Sequence, residues 1–338
     1  MNSYHILSLD GGGIRGLLTV ALLERLERAR PGFLEQVDLF AGTSTGSILA
    51  LGLAYGLSPT ELRKLYDDQG KSIFHDTLRD NIRDLWIMRG ARYSNKHLKK
   101  ALTERFCGHT LGDLKKKVLV ASFDLDNWSV NLDRPRMWKA KFFHNFSGDD
   151  SDAGERIVDV ALRSSAAPTY FPTYQGYVDG FVVANNPSMC ALAQVLGAEV
   201  RAESAELVDA ALLSVGTGLN QRYLPQEDAD WGLRQWAIQF QPRQHQWYAM
   251  PLIYMMWEGS VDLVNYQCRQ LLGDRFHRLD ALLPQLVDID GVDQMGLLND
   301  VASHMDLKRT LRWLDANFLH QVTKGEAESD PLAMFHET

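Results

Sequence analysis

Tyr4-His5-Ile6-Leu7-Ser8-Leu9-Asp10-Gly11-Gly12-Gly13-Ile14-Arg15-Gly16 reads as a buried strand running into a glycine-rich loop. An amphipathic helix is expected to follow, from Leu17 to about Arg30. Leu18, Leu22, Leu23 and Leu26 share one face of it, and Glu24, Arg25, Glu27 and Arg28 lie largely on the other. Pro31-Gly32 stops that helix, and Val37, Leu39, Phe40 and Ala41 read as a second buried strand. Strand, loop, helix and strand make a βαβ unit, which predicts an α/β fold with a parallel sheet and helices on its faces.

The second strand ends in Gly42-Thr43-Ser44-Thr45-Gly46, and the apolar Ile48, Leu49, Leu51, Leu53 and Ala54 continue as a buried helix. Gly-x-Ser-x-Gly at a strand-to-helix corner leaves room for a strained backbone and presents one hydroxyl. There the unpaired N–H groups and the helix dipole favour developing negative charge. A plainer role for Ser44 is to cap the helix. The glycine loop also has two readings. Gly11, Gly13 and Gly16 satisfy the dinucleotide fingerprint Gly-x-Gly-x-x-Gly, which requires an acidic residue at the end of the second strand. Asp38 precedes that strand instead, and a hydroxyl stands where a nucleotide site needs a carboxylate. The same run of backbone N–H groups can hold an oxyanion.

The 338 residues are 45% hydrophobic and 23% charged, enough for a sizeable core. A net charge of −8 argues against a general nucleic-acid binder. No apolar run reaches the roughly 18 residues needed to cross a bilayer, and the first strand leaves no room for a signal peptide before it. Cys107, Cys190 and Cys268 are odd in number and widely spaced, which fits reduced, mostly buried thiols of a cytoplasmic protein.

Ser58-Pro59-Thr60-Glu61 starts a helix, and Ser94 caps another. Between them Lys71 to Arg92 reads as an amphipathic lid or a connection. Val118 to Phe123 is a buried strand. Asn127 to Phe146 suggests a hairpin carrying Arg134, Arg136, Lys139 and Lys141 beside Trp128, Trp138, Phe142 and Phe143, a solvated face more readily than a lipid-phosphate site. Asn186-Pro187 starts a further helix, and Leu212 to Val215 is a strand opening into Gly216-Thr217-Gly218. Beyond Tyr223 the Met- and aromatic-rich stretch Trp231 to Trp257 reads as core, with a lipid-facing or self-association surface as the alternative. Asp288-x-Asp290-Gly291-x-Asp293 is similar to a calcium loop, but its glycine falls too early and no Glu closes it, so no metal site is expected. Asn299 to Leu319 reads as a last amphipathic helix before a polar tail.

Six segments resemble, in order, the motifs of the patatin-like phospholipase family. They are Asp10-Gly11-Gly12-Gly13-Ile14-Arg15-Gly16, Gly42-Thr43-Ser44-Thr45-Gly46, Arg163-Ser164-Ser165-Ala166-Ala167-Pro168 with Tyr170-Phe171-Pro172, Asp179-Gly180, Asn185-Asn186-Pro187, and Val215-Gly216-Thr217-Gly218. They span residues 4 to about 218. The resemblance implies a three-layer α/β/α sandwich with a mainly parallel sheet and a Ser–Asp dyad that hydrolyses acyl esters of membrane lipids without metal or organic cofactor. Carried over by position, Ser44 is the nucleophile and Asp179 its base. Gly11, Gly12, Gly13 and Arg15 form the oxyanion hole, and Gly42 and Gly46 shape the elbow. Phe181 stands where the family has a second glycine, which puts that turn's shape in question.

The expected division is a catalytic core over residues 1–222, a helical portion packed on it over 223–320, and a mobile tail over 321–338. A Ser–Asp–His α/β-hydrolase using Ser44, Asp179 and His277 or His304 is the alternative enzyme, although its elbow normally follows several strands rather than one βα unit. A nucleotide-binding module using the glycine loop is the other. Expected partners are membrane phospholipid at the inner face of the cell membrane, reached by peripheral contact, and a second copy of the chain, with no nucleic acid. Resemblance to short, leaderless bacterial members of the family in antiphage defence adds a cyclic dinucleotide activator. Arg134, Arg136, Trp138 and Lys139, or the Trp231 to Trp257 stretch, could supply its cationic and aromatic contacts; constitutive lipid turnover is the alternative.

Overall fold

The computed structural model describes residues 4–74, 90–127, 135–197, 209–224, 230–241 and 246–319. At its centre lie β1 (Tyr4–Leu9), β2 (Leu39–Thr43), β3 (Lys117–Asp124), β4 (Lys139–His144), β5 (Tyr177–Asp179) and β6 (Ala210–Val215). A separate ribbon of β7 (Ile238–Gln241) and β8 (Gln246–Ala249) precedes β9 (Phe276–Leu279), which returns to the main sheet. The order is β4-β3-β2-β1-β6-β9. From β3 to β9 neighbouring strands are parallel, while β4 and β5 run antiparallel to β3.

Both faces of the sheet are covered, so β2 and β6 are buried at every position. Alternation along the strands sorts their side chains into two clusters. Leu7, Leu9, Phe40, Leu213 and Val215 pack with α1 (Gly16–Ala29), α2 (Thr45–Tyr55) and α3 (Pro59–Ile73). Ile6, Leu39, Ala41 and Leu212 pack with the helices Ser188–Val195 and Pro251–Leu272. This is the expected three-layer α/β/α sandwich.

Local expectations also appear where the side chains dictate them. Ser58 and Glu61 form a reciprocal capping box at the start of α3, and Asn186 Oδ1 accepts the Ser188 N–H at 3.0 Å to start the next helix.

Five features differ from the sequence reading. The C-terminal portion is not only helical, because β9 pairs with β6 and extends the main sheet. The helix Pro251–Leu272 buries Val261, Cys268 and Leu272 but leaves Leu252, Met255 and Met256 exposed, so this part of the aromatic stretch is a surface and not core. Among the described residues of 127–146, β4 forms and pairs with β3, while residues 128–134 of the expected hairpin lie outside the described residues. Residues 299–319 contain a break. Met305 is extended and the Asp306 carboxylate accepts the Lys308 N–H at 2.9 Å, which separates the helices Met295–His304 and Lys308–Asn317. Of the cysteines, Cys268 is buried but Cys107 is exposed. Most of the lid segment (75–89), Trp128, Arg134 and the tail (321–338) lie outside the described residues. Among the described residues no helix is long and apolar enough to cross a membrane.

Candidate active site

One strand brings the two chemical residues together. β4 occupies one edge of β3 along residues 119–124, so β2 and β5 share the other edge in succession. β2 runs with β3 and ends with Thr43 opposite Ala121; β5 runs against it and ends with Asp179 opposite Ser122. Their C-terminal ends therefore meet head on, one step of about 3.3 Å apart along β3. Ser44 follows the first end and Asp179 closes the second.

The elbow holds Ser44 at φ 54° and ψ −125°, a conformation a non-glycine residue adopts at a cost of about 1–3 kcal/mol. Close packing enforces it. A Cβ on Gly42 would collide with the Gly46 carbonyl, and one on Gly46 with the Leu9 carbonyl. The Ser44 N–H donates to Ser164 Oγ at 2.9 Å, and Ser164 Oγ donates to the Ala121 carbonyl at 2.7 Å. Ser44 does not use its own side chain to cap α2.

Asp179 is fixed by its N–H donating to the Ala166 carbonyl at 3.0 Å and by the Phe181 N–H donating to its Oδ1 at 2.9 Å. Gly180 must be glycine, since a Cβ there would strike the Ala121 carbonyl. Phe181 needs no glycine, because it opens the short helix Phe181–Ala184 without a positive φ; the departure from the family motif leaves the turn intact. Burial pushes Asp179 up to about 7, although hydrogen bonds from the Ser44 hydroxyl and the Phe181 N–H pull the other way.

The glycine loop lies beside the pair, and its N–H groups divide clearly. Gly11 donates to the Asn185 carbonyl at 3.1 Å, and Ile14 donates to the Ile289 carbonyl at 2.8 Å. Among the described residues nothing accepts from the Gly12 or Gly13 N–H. Gly11 is thus spent on holding the loop, a correction to its expected place among the donors. The Arg15 guanidinium likewise turns to the Gly12 and Gly218 carbonyls, at 3.5 and 3.2 Å, and lies over the Trp257 ring. It braces the loop from behind.

Residues that no sequence reading singled out hold this loop in place. Arg278 on β9 donates to both Asp10 oxygens at 2.9 and 2.6 Å, to Ser214 Oγ at 2.8 Å and to Asp280 Oδ2 at 2.7 Å. Asp280 in turn accepts the Gly218 N–H at 2.9 Å. Asp10 is pushed up to about 6 by burial despite the Arg278 charge. Asp288 and Asp290 of the calcium-like stretch are engaged elsewhere: Arg222 approaches Asp288 at 3.6 Å, and Arg92 and Tyr93 hold Asp290 at 2.6 and 2.8 Å. Among the described residues no three His, Cys, Asp or Glu side chains group as metal ligands.

Ser44, Asp179, Gly12 and Gly13 open into one cavity of about 520 Å³, walled mainly by apolar side chains from α3, the helix Lys96–Phe106, the Tyr170–Phe171 turn and the helix Pro251–Leu272. Neither alternative histidine lines it. His277 Nε2 pairs with Thr310 Oγ1 at 2.9 Å, and His304 Nδ1 with the Asp300 carbonyl at 2.8 Å.

The profile of the patatin-like phospholipase family matches residues 7–192. The protein CotR of Bacillus subtilis is 32% identical over 340 aligned residues, covering 94% of this chain and 99% of its own. A Pseudomonas aeruginosa protein named as a cGAMP-activated phospholipase is 33% identical over 307 residues, covering 87% of this chain and 84% of its own. Among solved structures, human GIVD cytosolic phospholipase A2 aligns with 95% of this chain and 61% of its own at 13% identity and a TM-score of 0.40.

Proposed function

We propose, on the premise that the chain belongs to the patatin-like phospholipase family and is a lipid acyl hydrolase, that Ser44 and Asp179 form its catalytic dyad. The meeting of β2 and β5 at the floor of an apolar cavity supports this reading above any other observation. Asp179 accepts the Ser44 Oγ proton as Oγ attacks the ester carbonyl. The Gly12 and Gly13 N–H groups receive the oxyanion, each such donor being worth about 3–4 kcal/mol. On collapse, Asp179 returns the proton to the leaving alcohol, and the acyl group stays on Ser44 until water releases it as the fatty acid. A carboxyl group near 7 is a far better base than an ordinary aspartate, yet is ionised in about half of the molecules at neutral pH. Incubation with mixed phospholipid vesicles should release fatty acid, read by mass spectrometry. Ser44→Ala should release none, and equal release by that variant would reject the nucleophile.

The cavity mouth supports peripheral contact with the lipid surface. Met256 and Val182 line the cavity and are also 65% and 46% exposed. From there Leu252, Met255, Leu263 and Tyr266 continue an exposed stripe along one side of the helix Pro251–Leu272. Met255→Asp should weaken vesicle co-sedimentation several-fold; unchanged binding would exclude this stripe.

A second reading concerns control. The similarity to the Pseudomonas aeruginosa protein named for cGAMP activation supports a cyclic dinucleotide as activator. Of the candidate contacts, Arg136 is already held by Asp126, whereas Trp138 is exposed. A fluorogenic ester assay across a panel of cyclic dinucleotides tests this: equal rates with every member and no binding would reject it.

A further inference from the structure

Among the described residues, two polar atoms of side chains that line the catalytic cavity have no protein partner. Asn185 is 3% exposed and Ser165 7% exposed, both line the cavity with Ser44 and Asp179, and neither Asn185 Oδ1 nor Ser165 Oγ bonds to a described protein group. A buried acceptor left unbonded is costly, and most such atoms in native proteins are satisfied. The Asn185 orientation is set by its other end, which donates from Nδ2 to the Gly11 carbonyl at 3.3 Å. Its Oδ1 lies beside Gly11, bordering the same space as Ser44 Cβ. The position a Gly11 side chain would occupy is 2.5 Å from Asn185 Oδ1 and 3.2 Å from Ser44 Cβ.

The chemistry of the two half-reactions says what such an acceptor is for. A carboxylic ester has acceptor oxygens and no donor, so its acyl group gains nothing from Asn185 Oδ1. The leaving alcohol carries one O–H, whose proton comes from Asp179. Water attacking the acyl-enzyme carries two. Asp179 takes one proton while the water oxygen bonds to the acyl carbon; the other O–H needs a second acceptor inside an apolar cavity. When the carbon–Oγ bond breaks, Asp179 returns its proton to Ser44 Oγ and the fatty acid departs.

We propose that Asn185 Oδ1, with Ser165 Oγ beside the same cavity, holds the deacylating water, making these residues catalytic for the second half-reaction only. The proposal rests on the dyad reading above, and its test separates the two. With a soluble aryl ester, Ser44 should carry the acyl group, seen as a mass increment that Ser44→Ala lacks. An increment that persists in Ser44→Ala would sink the dyad.

Added methanol brings one O–H and does not need the second acceptor. Partitioning of the acyl group between methanol and water should therefore shift about tenfold toward the methyl ester in Asn185→Leu, with acyl-enzyme accumulating. Loss of the Asn185 contact to Gly11 would slow both half-reactions together and leave that ratio unmoved. Ser165→Ala, which removes no side-chain hydrogen bond among the described residues, should shift the ratio in the same direction by about threefold. Unchanged partitioning in Asn185→Leu overturns the proposal; should that variant not fold, the Ser165→Ala ratio decides in the same way.

Discussion

Ser44 and Asp179 reach each other through a single strand, whereas the glycine loop reaches its place through four separated parts of the chain. In the first region each residue ends its own strand, and β3 aligns the two ends. In the second, Asn185 holds Gly11, Thr217 donates to the Gly11 carbonyl at 3.1 Å, Arg278 holds Asp10, and Ile289 holds Ile14. The difference is physical. A dyad needs two side chains at contact distance, which strand register delivers within one step. An oxyanion site needs two N–H groups left without partners, so the flanking N–H groups of Gly11 and Ile14 are tied to distant carbonyls and the loop is held by those ties.

The largest effect should come from the first region. Ser44→Ala and Asp179→Asn should each lower turnover at least ~10³-fold, and the double variant should be little worse than either, since the pair acts as a unit. Wild-type kcat/KM should rise with pH through about 7 as Asp179 ionises. The same group should cost stability. Its folded pKa lies above the ordinary 3.8, so its contribution to stability is most favourable below about pH 4, falls as pH rises toward 7, and stays low above it. The difference amounts to roughly 4 kcal/mol. Asp179→Asn should thus raise the melting temperature at pH 8 and hardly change it at pH 4. A variant that is dead but no more stable at pH 8 would place the ionised carboxylate outside the buried site.

The next effect belongs to the second region. A Cβ on Gly12 would collide with Thr217, whose hydroxyl steadies the Gly11 carbonyl. Gly12→Ala should lower kcat about 100-fold with KM little changed, because the displaced donors act on the transition state. A raised KM at unchanged kcat would show uniform binding and remove the oxyanion role.

The same contrast explains what could be read in advance. Gly42, Gly46, Gly180, Ser44 and Asp179 stand in short motifs because each position demands one residue type: no side chain beside a close carbonyl at the three glycines, and a hydroxyl and a carboxyl group at the pair. Ser164 also stood in a quoted motif, but small size was its only visible feature, and its bond to the Ser44 N–H crosses 120 positions. Arg278, Asp280 and Ile289 carry no local signature at all. Ile289 acts through its backbone carbonyl, which any residue supplies, and Arg278 reaches Asp10 only after β9 has joined β6. Exposure of the Pro251–Leu272 helix was hidden for a related reason: apolar spacing looks the same whether the face meets core or solvent.

The smallest expected effect tests whether a histidine assists the dyad. His277 lies on β9, opposite Leu213 on β6; Leu213 pairs with Leu7, and Leu7 with Phe40 on β2. Three strand spacings of about 4.8 Å separate it from β2, and it stands level with a residue four positions before Ser44. No rotamer spans that gap. Its ring is instead stacked on Trp313, 5.5 Å between centroids, and its Nε2 is taken by Thr310. Burial pushes its pKa down to about 4, so it is uncharged at neutral pH. His277→Ala should therefore keep kcat within about twofold while costing roughly 1–2 kcal/mol of stability through the lost stacking and hydrogen bond. His304→Ala, at an exposed helix end, should change neither. A His277→Ala protein that melts normally yet turns over no ester would return the catalytic base to β9, and the head-on meeting of β2 and β5 would then be architecture alone.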